Sequence, residues 1–390
     1  MTARRVLVVH NAYQHRGGED TVVEAETALL RAHGHAVETY FRSNDDVRDM
    51  SASALARQTV WSSRTVRDLE TLLQRFRPDV IHVHNTFPLV SPSLYWTAAR
   101  AGIPVVQTLH NFRLLCLNAL FLREDKVCED CMGRLPWRGV ARACYRGSRA
   151  ASVALASMLT LHRALGTYRS KVTRYIALNE FCRGKFIEGG LPAERVVVKP
   201  NFVDFPSPEP GPRTGLLFVG RLSSEKGIAT LAAAVTALTG ASLRVAGDGP
   251  EATLLDGVPG VTRLGSLPGD AVRAEMSRAA ALVVPSIWYE NFPRTIVEAF
   301  ACGLPVIASR LGALADIVTD GETGLLFEPG DPRDLAAKLA WVQANPERMA
   351  EMGRRARAQY EAAFSAEVNY RRLIAIYADA VAEVEREGRP

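Results

Sequence analysis

Runs of consecutive apolar residues recur along this chain, and most are followed by a stretch whose apolar positions repeat with helical spacing. The first run, Arg5–His10 (RVLVVH), lacks the alternation of a strand with one wet face and predicts a strand buried on both sides. A loop with Gly17 and Gly18 follows, then a helix from about Glu19 to His33, closed by Gly34. Further buried strands are predicted at Val80–His84, Ile103–Leu109, Val172–Leu178 and Val196–Lys199. After Pro200 the stretch NFVDFPSPEPGPRTG is dense in proline and glycine and reads as an interdomain linker. A second series then begins: strand Leu216–Gly220, a helix from about Gly227, strands Ser242–Ala246 and Ala281–Pro285, a helix from about Pro293, and strand Val306–Ser309. The last amphipathic helix is predicted around Val368–Glu385, and periodicity alone does not place it.

Strands alternating with helices in both halves predict an α/β protein with two Rossmann-like, doubly wound parallel-sheet domains. A length of 390 residues suits two cores rather than one. The domains are expected at 1–205 and 206–367. Hydrophobic content of 47% and charged content of 23% are those of a globular protein. No apolar run approaches the roughly 18 residues needed to span a bilayer. The first apolar run stops at His10 without a small-residue cleavage site, so the expected compartment is the cytoplasm.

Ligands of such sheets bind beyond the carboxyl ends of the strands. Three first-half strands end there in histidine, His10, His84 and His110, of which His110 is the leading candidate. In the second half, WYENFPRTIVEAFACGLPVIAS sets Glu290 and Glu298 in an apolar segment, where a carboxylate needs a partner. Pro293 suits a first helical turn and Gly303 with Pro305 a helix end. The free N–H groups from Phe292 to Thr295 then favour an anion such as phosphate. Carboxylates beside a phosphate would repel it, so their partners are hydroxyls, and a nucleotide sugar carries hydroxyls on both sides of its diphosphate. FVGRLSSEKGI puts Arg221 at a strand end and Lys226 at a helix start, an anion clamp. The chain has no Asp-x-Asp pair to hold Mg²⁺, so this work falls to Arg221 and Lys226 and no catalytic cofactor is expected.

Net charge is only +5, but no acidic residue stands between Asp130 and Glu180, where the arginines include Arg134, Arg138, Arg142 and Arg146. If that stretch is helical, these four share a face. With Trp137 and Tyr145 among them, they point to an anionic partner: nucleic acid, a membrane surface or a phosphorylated substrate. Four of the six cysteines, Cys116, Cys128, Cys131 and Cys144, fall in one segment with a Cys-x2-Cys knuckle. Disulfides are not expected in the cytoplasm, and four thiolates complete a tetrahedral structural zinc site. A closed site of that kind leaves no position for a substrate.

GRLSSEKG, AGDGPE (Ala246–Glu251) and YENFPRTIVEAFACGLPVIAS together resemble the retaining GT-B glycosyltransferases of family 4. The Gly17-Gly18 loop, His110 and PNFVD (Pro200–Asp204) extend the resemblance to nearly the whole chain, and the cysteine segment marks a subgroup. It implies two domains facing a deep cleft, with the last helix, about 368–390, crossing back to the first domain. By the same resemblance Glu290 contacts donor-sugar hydroxyls and Glu298 the ribose. Arg221 and Lys226 hold the diphosphate with amides of Asn291 and Phe292, and Gly247 and Thr295 belong to the donor set. Gly17 and Gly18 let the loop approach the donor, and His110 lies near the reacting carbon. The activity implied is metal-independent hexosyl transfer with retention, from a UDP-sugar or next GDP-mannose. Its acceptor is a lipid-linked, phosphorylated or polysaccharide-type sugar, at the cytoplasmic face of a membrane. Two other readings stand beside it: a nucleotide-sugar epimerase or hydrolase on the same fold, and a zinc-containing nucleic-acid-binding protein. The latter leaves Glu290 and Glu298 unexplained, so no nucleic-acid partner is expected.

Overall fold

The structure, a computed structural model, describes residues 5–14, 17–205 and 211–388. The predicted linker therefore lies partly outside the described residues. The chain forms two compact units, one of residues 1–120, 129–200 and 369–390, the other of residues 121–128 and 201–368.

The first unit is built on six parallel strands: β1 Arg5–Ala12, β2 Ala36–Ser43, β3 Val80–Val83, β4 Val105–Thr108, β5 Arg174–Ala177 and β6 Val196–Val198, in the order β2-β1-β3-β4-β5-β6. Strands β3 and β4 are buried at every position, as their unbroken apolar runs predict. One face of the sheet, presenting Val6, Val8, Val106 and Ile176, is covered by Tyr370, Leu373, Ile376, Tyr377 and Ala380 of the helix Ala366–Arg386. Burying each such side chain contributes about 1.5–3 kcal/mol, which fixes the helix on this sheet.

The second unit carries β7 Leu216–Val219, β8 Leu243–Ala246, β9 Val261–Gly265, β10 Ala281–Val284, β11 Val306–Ser309 and β12 Gly324–Phe327. They run parallel in the order β9-β8-β7-β10-β11-β12. Successive residues feed opposite faces: Leu217 and Leu282 pack with Val297 and Phe300, while Phe218 and Val283 pack with Leu231 and Leu339. Strand order reverses between β7 and β10, so their carboxyl ends flank the crevice where doubly wound sheets bind ligands.

One expectation fails. The segment with Arg134, Arg138, Arg142 and Arg146 holds only a short helix, Trp137–Ala141, and the backbone turns left-handed at Ala143 and Arg146. The four arginines therefore do not share a helical face. Arg138 and Arg142 instead converge on Asp130, the last acidic residue before the window.

Candidate functional site

In the second unit three close backbone approaches assemble the loops beyond β7, β8 and β10. A Cβ at Gly227 (φ +71°) would lie 1.9 Å from the carbonyl oxygen of Pro285, and Ile287 N–H donates to Glu225 at 3.0 Å. These contacts seat the turn bearing Lys226 on the loop bearing Ser286 and Glu290. A Cβ at Gly247 would lie 1.8 Å from the oxygen of Gly220, and one at Gly249 would lie 2.3 Å from that of Leu222. Gly247 thus has a structural reason to be glycine: the AGDGPE loop lies directly on GRL.

Lys226 and Glu290 meet. The ammonium of Lys226 pairs with Glu290 Oε1 at 2.5 Å and stands 5.5 Å from the centre of the Trp288 ring. The same Oε1 accepts from the Ser286 hydroxyl at 2.8 Å, and Glu290 is only 6% exposed. Glu298 lies in the helix Arg294–Ala301 and accepts from Arg294 Nε at 2.8 Å. Burial nevertheless raises its pKa, the Arg294 charge opposing the shift. Each carboxylate therefore has a protein cation, Arg294 being one that the sequence reading did not single out. Arg221 is exposed beyond β7, and among the described residues its guanidinium makes no hydrogen bond or ion pair. Pro293 caps the helix rather than opening it. Asn291, Phe292 and Thr295 are half-buried around its start, where Arg294 N–H is already taken by the carbonyl of Phe292 at 2.9 Å. Also in this unit, a hairpin pairing Leu122–Arg123 with Lys126–Val127 accepts a bond from Ser224 Oγ to Asp125 at 2.7 Å.

In the first unit, Gly17 and Gly18 are exposed, and a Cβ at Gly18 would meet nothing within 4 Å. Their turn is held by Asp20, which accepts from Gly17 N–H at 2.8 Å and contacts His10 Nε2 at 2.8 Å. Beside it, Glu19 accepts from the Tyr13 hydroxyl at 3.0 Å, while its other oxygen makes no hydrogen bond among the described residues and lies 3.9 Å from His10 Nδ1. Burial, countered by Tyr13, Arg113 and Asn111, pushes the Glu19 carboxyl up to about 8. A carboxylic acid kept neutral at pH 7 can donate a hydrogen bond. Nothing in the pattern GGED distinguishes Glu19 from an ordinary first-turn acid.

His110 follows β4 and is half-exposed, with Nε2 2.9 Å from Nδ1 of His84. His84 lies beside His82, with ring centroids 4.2 Å apart and the planes tilted by 39°. Burial lowers the pKa of His84 and His110 well below the ordinary range, and neighbouring histidines and Lys199 lower both further. These rings are neutral at pH 7.

The cysteine segment also folds back on itself. Cys116 and Cys131 are buried, Cys128 and Cys144 half-buried. Cys144 N–H donates to the carbonyl of Gly139 at 2.9 Å, and a Cβ on Gly139 would lie 3.4 Å from Cys131 Sγ. Cys131 and Cys144 thus both converge on Gly139. Cys116 Sγ lies 2.9 Å from Asn118 Oδ1.

Residues 17–201 match the family described as "Glycosyl transferase 4-like domain", and residues 213–345 match "Glycosyl transferases group 1". Among curated proteins, the sulfoquinovosyl transferase SQD2 of Arabidopsis thaliana is 33% identical over 153 residues, 37% of this chain and 30% of that protein. The chain thus matches about a third of that relative's length. Among solved structures, sucrose-phosphate synthase from Thermosynechococcus elongatus superposes with a TM-score of 0.71 at 19% identity, covering 97% of this chain and 100% of that one. Anabaena HepE in complex with UDP gives 0.67 at 18% identity, covering 96% and 99%. At such identities the likeness is one of fold, and the fold is that of the GT-B glycosyltransferases.

Proposed function

We propose that this chain, which matches a glycosyl transferase 4-like domain followed by a glycosyl transferases group 1 domain, is a glycosyltransferase that moves a hexosyl group from a nucleotide-diphosphate sugar to a lipid-linked or polysaccharide-type acceptor with retention of configuration. The observation that carries the reading is the Lys226–Glu290–Ser286 cluster at the strand-order reversal, with exposed Arg221 at the end of β7. A diphosphate would draw on Lys226 and Arg221. Sugar hydroxyls would donate to Glu290 and ribose hydroxyls to Glu298. The UDP bound by HepE supports a uridine donor first, with GDP-mannose next.

In the proposed front-face step the acceptor oxygen bonds to the anomeric carbon as the bond to the diphosphate oxygen breaks. The acceptor's proton passes to that departing oxygen, so no separate base is needed. The two cations stabilise charge that grows on the leaving group, which accelerates the step more than it tightens ground-state binding. His110 serves as a neutral polar group near the reacting carbon, and no metal is invoked in the transfer. Cys116, Cys128, Cys131 and Cys144 would hold a zinc ion. Four sulfurs are its preferred structural donor set, and the chemistry of that set is what supports the reading. When bound it supplies a cross-link within the segment after His110.

The acceptor side is proposed to meet an anionic membrane surface at the cytoplasmic leaflet. Leu135 and Trp137 are 63% and 65% exposed in the arginine-rich segment, and no helix among the described residues is long and apolar enough to cross a bilayer. Thermal-shift measurements against UDP-, GDP- and ADP-sugars test the donor reading. A UDP-sugar is expected to raise the melting temperature, since a ligand of the folded state stabilises it. The proposal falls if no nucleotide sugar does so, and rapid loss of donor without acceptor would favour the epimerase or hydrolase.

A further inference from the structure

Beneath His110 the first unit contains a polar network on elements far apart in sequence. Glu26, from the helix Gly18–Ala32, is 1% exposed and forms an ion pair with Lys199, which is fully buried after β6. Lys199 also donates to Asn369 Oδ1 at 3.0 Å, and Asn369 Nδ2 donates to the Pro200 carbonyl at 2.5 Å. The second oxygen of Glu26 has no hydrogen bond among the described residues. Neither has His84 Nε2, which lies 3.7 Å from it. His82 is occupied at both ring nitrogens, by Thr108 Oγ1 at 2.8 Å and the Tyr377 hydroxyl at 2.7 Å.

Glu26, His82 and His84 approach closely enough to suggest a metal site. The Lys199 ammonium on the same carboxylate already supplies the positive charge, and Tyr377 occupies the His82 nitrogen that a metal would need. The arrangement is better read as a polar chain, with Glu26 facing His84 electrostatically at 3.7 Å and His84 hydrogen-bonded to His110 at 2.9 Å. A negative carboxylate oxygen 3.7 Å away favours an N–H over a lone pair on the nitrogen that faces it, so the proton of His84 belongs on Nε2. A neutral imidazole carries one proton, so Nδ1 of His84 is then an acceptor. The group 2.9 Å from it, Nε2 of His110, must therefore donate.

We propose that Glu26 and His84 are positioning residues that hold His110 in its Nε2–H tautomer, with a bare Nδ1 left to accept a hydrogen bond from substrate. The chain reads Glu26, His84, His110, with Lys199 fixing Glu26 and Tyr377 keeping His82 from competing for it. Because His110 has Lys199, His82, His84 and His10 around it and stays neutral, it accepts hydrogen bonds in the reaction and does not deliver a proton to the leaving group. Its catalytic relevance rests on the glycosyltransferase reading; its tautomer does not.

The test is a long-range ¹H–¹⁵N correlation spectrum of histidine-labelled full-length protein without substrate, the His110 signals being assigned by their loss in His110→Gln. The expected pattern is neutral Nε2–H, unchanged from pH 6 to 8. An Nδ1–H pattern, or protonation within that range, would overturn the proposal while leaving glycosyl transfer untouched. The wild-type spectrum needs no variant to fold. In Glu26→Gln, and in His84→Phe as a second, charge-neutral route, His110 should become a tautomer mixture. With it kcat should fall roughly tenfold to a hundredfold, the scale of one lost hydrogen bond to a reacting group, and KM for the donor should change less than about twofold. A variant that keeps the wild-type tautomer with reduced kcat would show a merely structural role and refute the chain.

Discussion

Replacing Glu19 by glutamine should make the protein less sensitive to alkaline pH, by an amount the structure sets. The Glu19 side chain is 9% exposed and its carboxyl is raised from 4.5 to about 8. The folded state therefore keeps a proton that the unfolded chain releases between those values. Stability from this group is complete below about pH 4.5 and is lost as pH rises through 8. At about 1.4 kcal/mol per pH unit, the cumulative loss is roughly 4–5 kcal/mol. Glutamine has nearly the same shape, can keep the bond from the Tyr13 hydroxyl and never ionises. Urea unfolding of both proteins at half-unit steps from pH 5 to 8.5 isolates the effect, because every other titrating group cancels in the difference. The variant should gain on the wild type steadily across the window. Parallel stability curves would show that Glu19 is ionised in the folded protein near pH 5, and the argument from burial would fail.

Glu298→Ala should weaken donor binding, read by calorimetry, whereas Glu290→Ala should mainly lower turnover; effects of about ten- to a hundredfold match a hydrogen bond worth roughly 1.5–3 kcal/mol. Near-normal transfer by both would sink the donor-site assignment. Elemental analysis of protein purified without chelator should find one zinc per chain, lost in Cys128→Ser; no stoichiometric metal would refute the four-cysteine site. Vesicles containing anionic lipid should retain the wild type at low salt and release the Leu135→Ser/Trp137→Ser double variant, and association of neither would remove the membrane proposal.

The strands at the centres of both sheets were legible because they are buried on both faces and so carry unbroken apolar runs. Strand β2 (AVETYFRS) escaped notice: it is an edge strand, half-exposed along most of its length, and neither its composition nor its alternation marks it. Strand β9, exposed at one edge of the other sheet, hid for the same reason. The four-residue arginine spacing misled because periodicity is blind to the left-handed turns at Ala143 and Arg146. At the candidate site, Glu290 and Lys226 were legible as charges in apolar surroundings. Their direct pairing was not, since it depends on Gly227 lying against Pro285, a contact 58 positions long in the chain. Glu26 was the least visible of all. On its own helix it is one more acid, and only the fold brings Lys199 and His84 to it.

The helix Ala366–Arg386 has a consequence for how this protein is made. Residues 5–200 leave the ribosome first, yet the face of their sheet that presents Val6, Val106 and Ile176 is closed by Tyr370, Leu373 and Tyr377, and Lys199 donates a bond to Asn369. Between them the ribosome must translate residues 201–368, which at about 5–20 residues per second takes roughly 8 to 34 s. During that interval the nascent first unit has an open apolar flank and an incompletely satisfied buried ammonium. It is in this window, rather than after release, that chaperone dependence and sensitivity to translation rate should be concentrated.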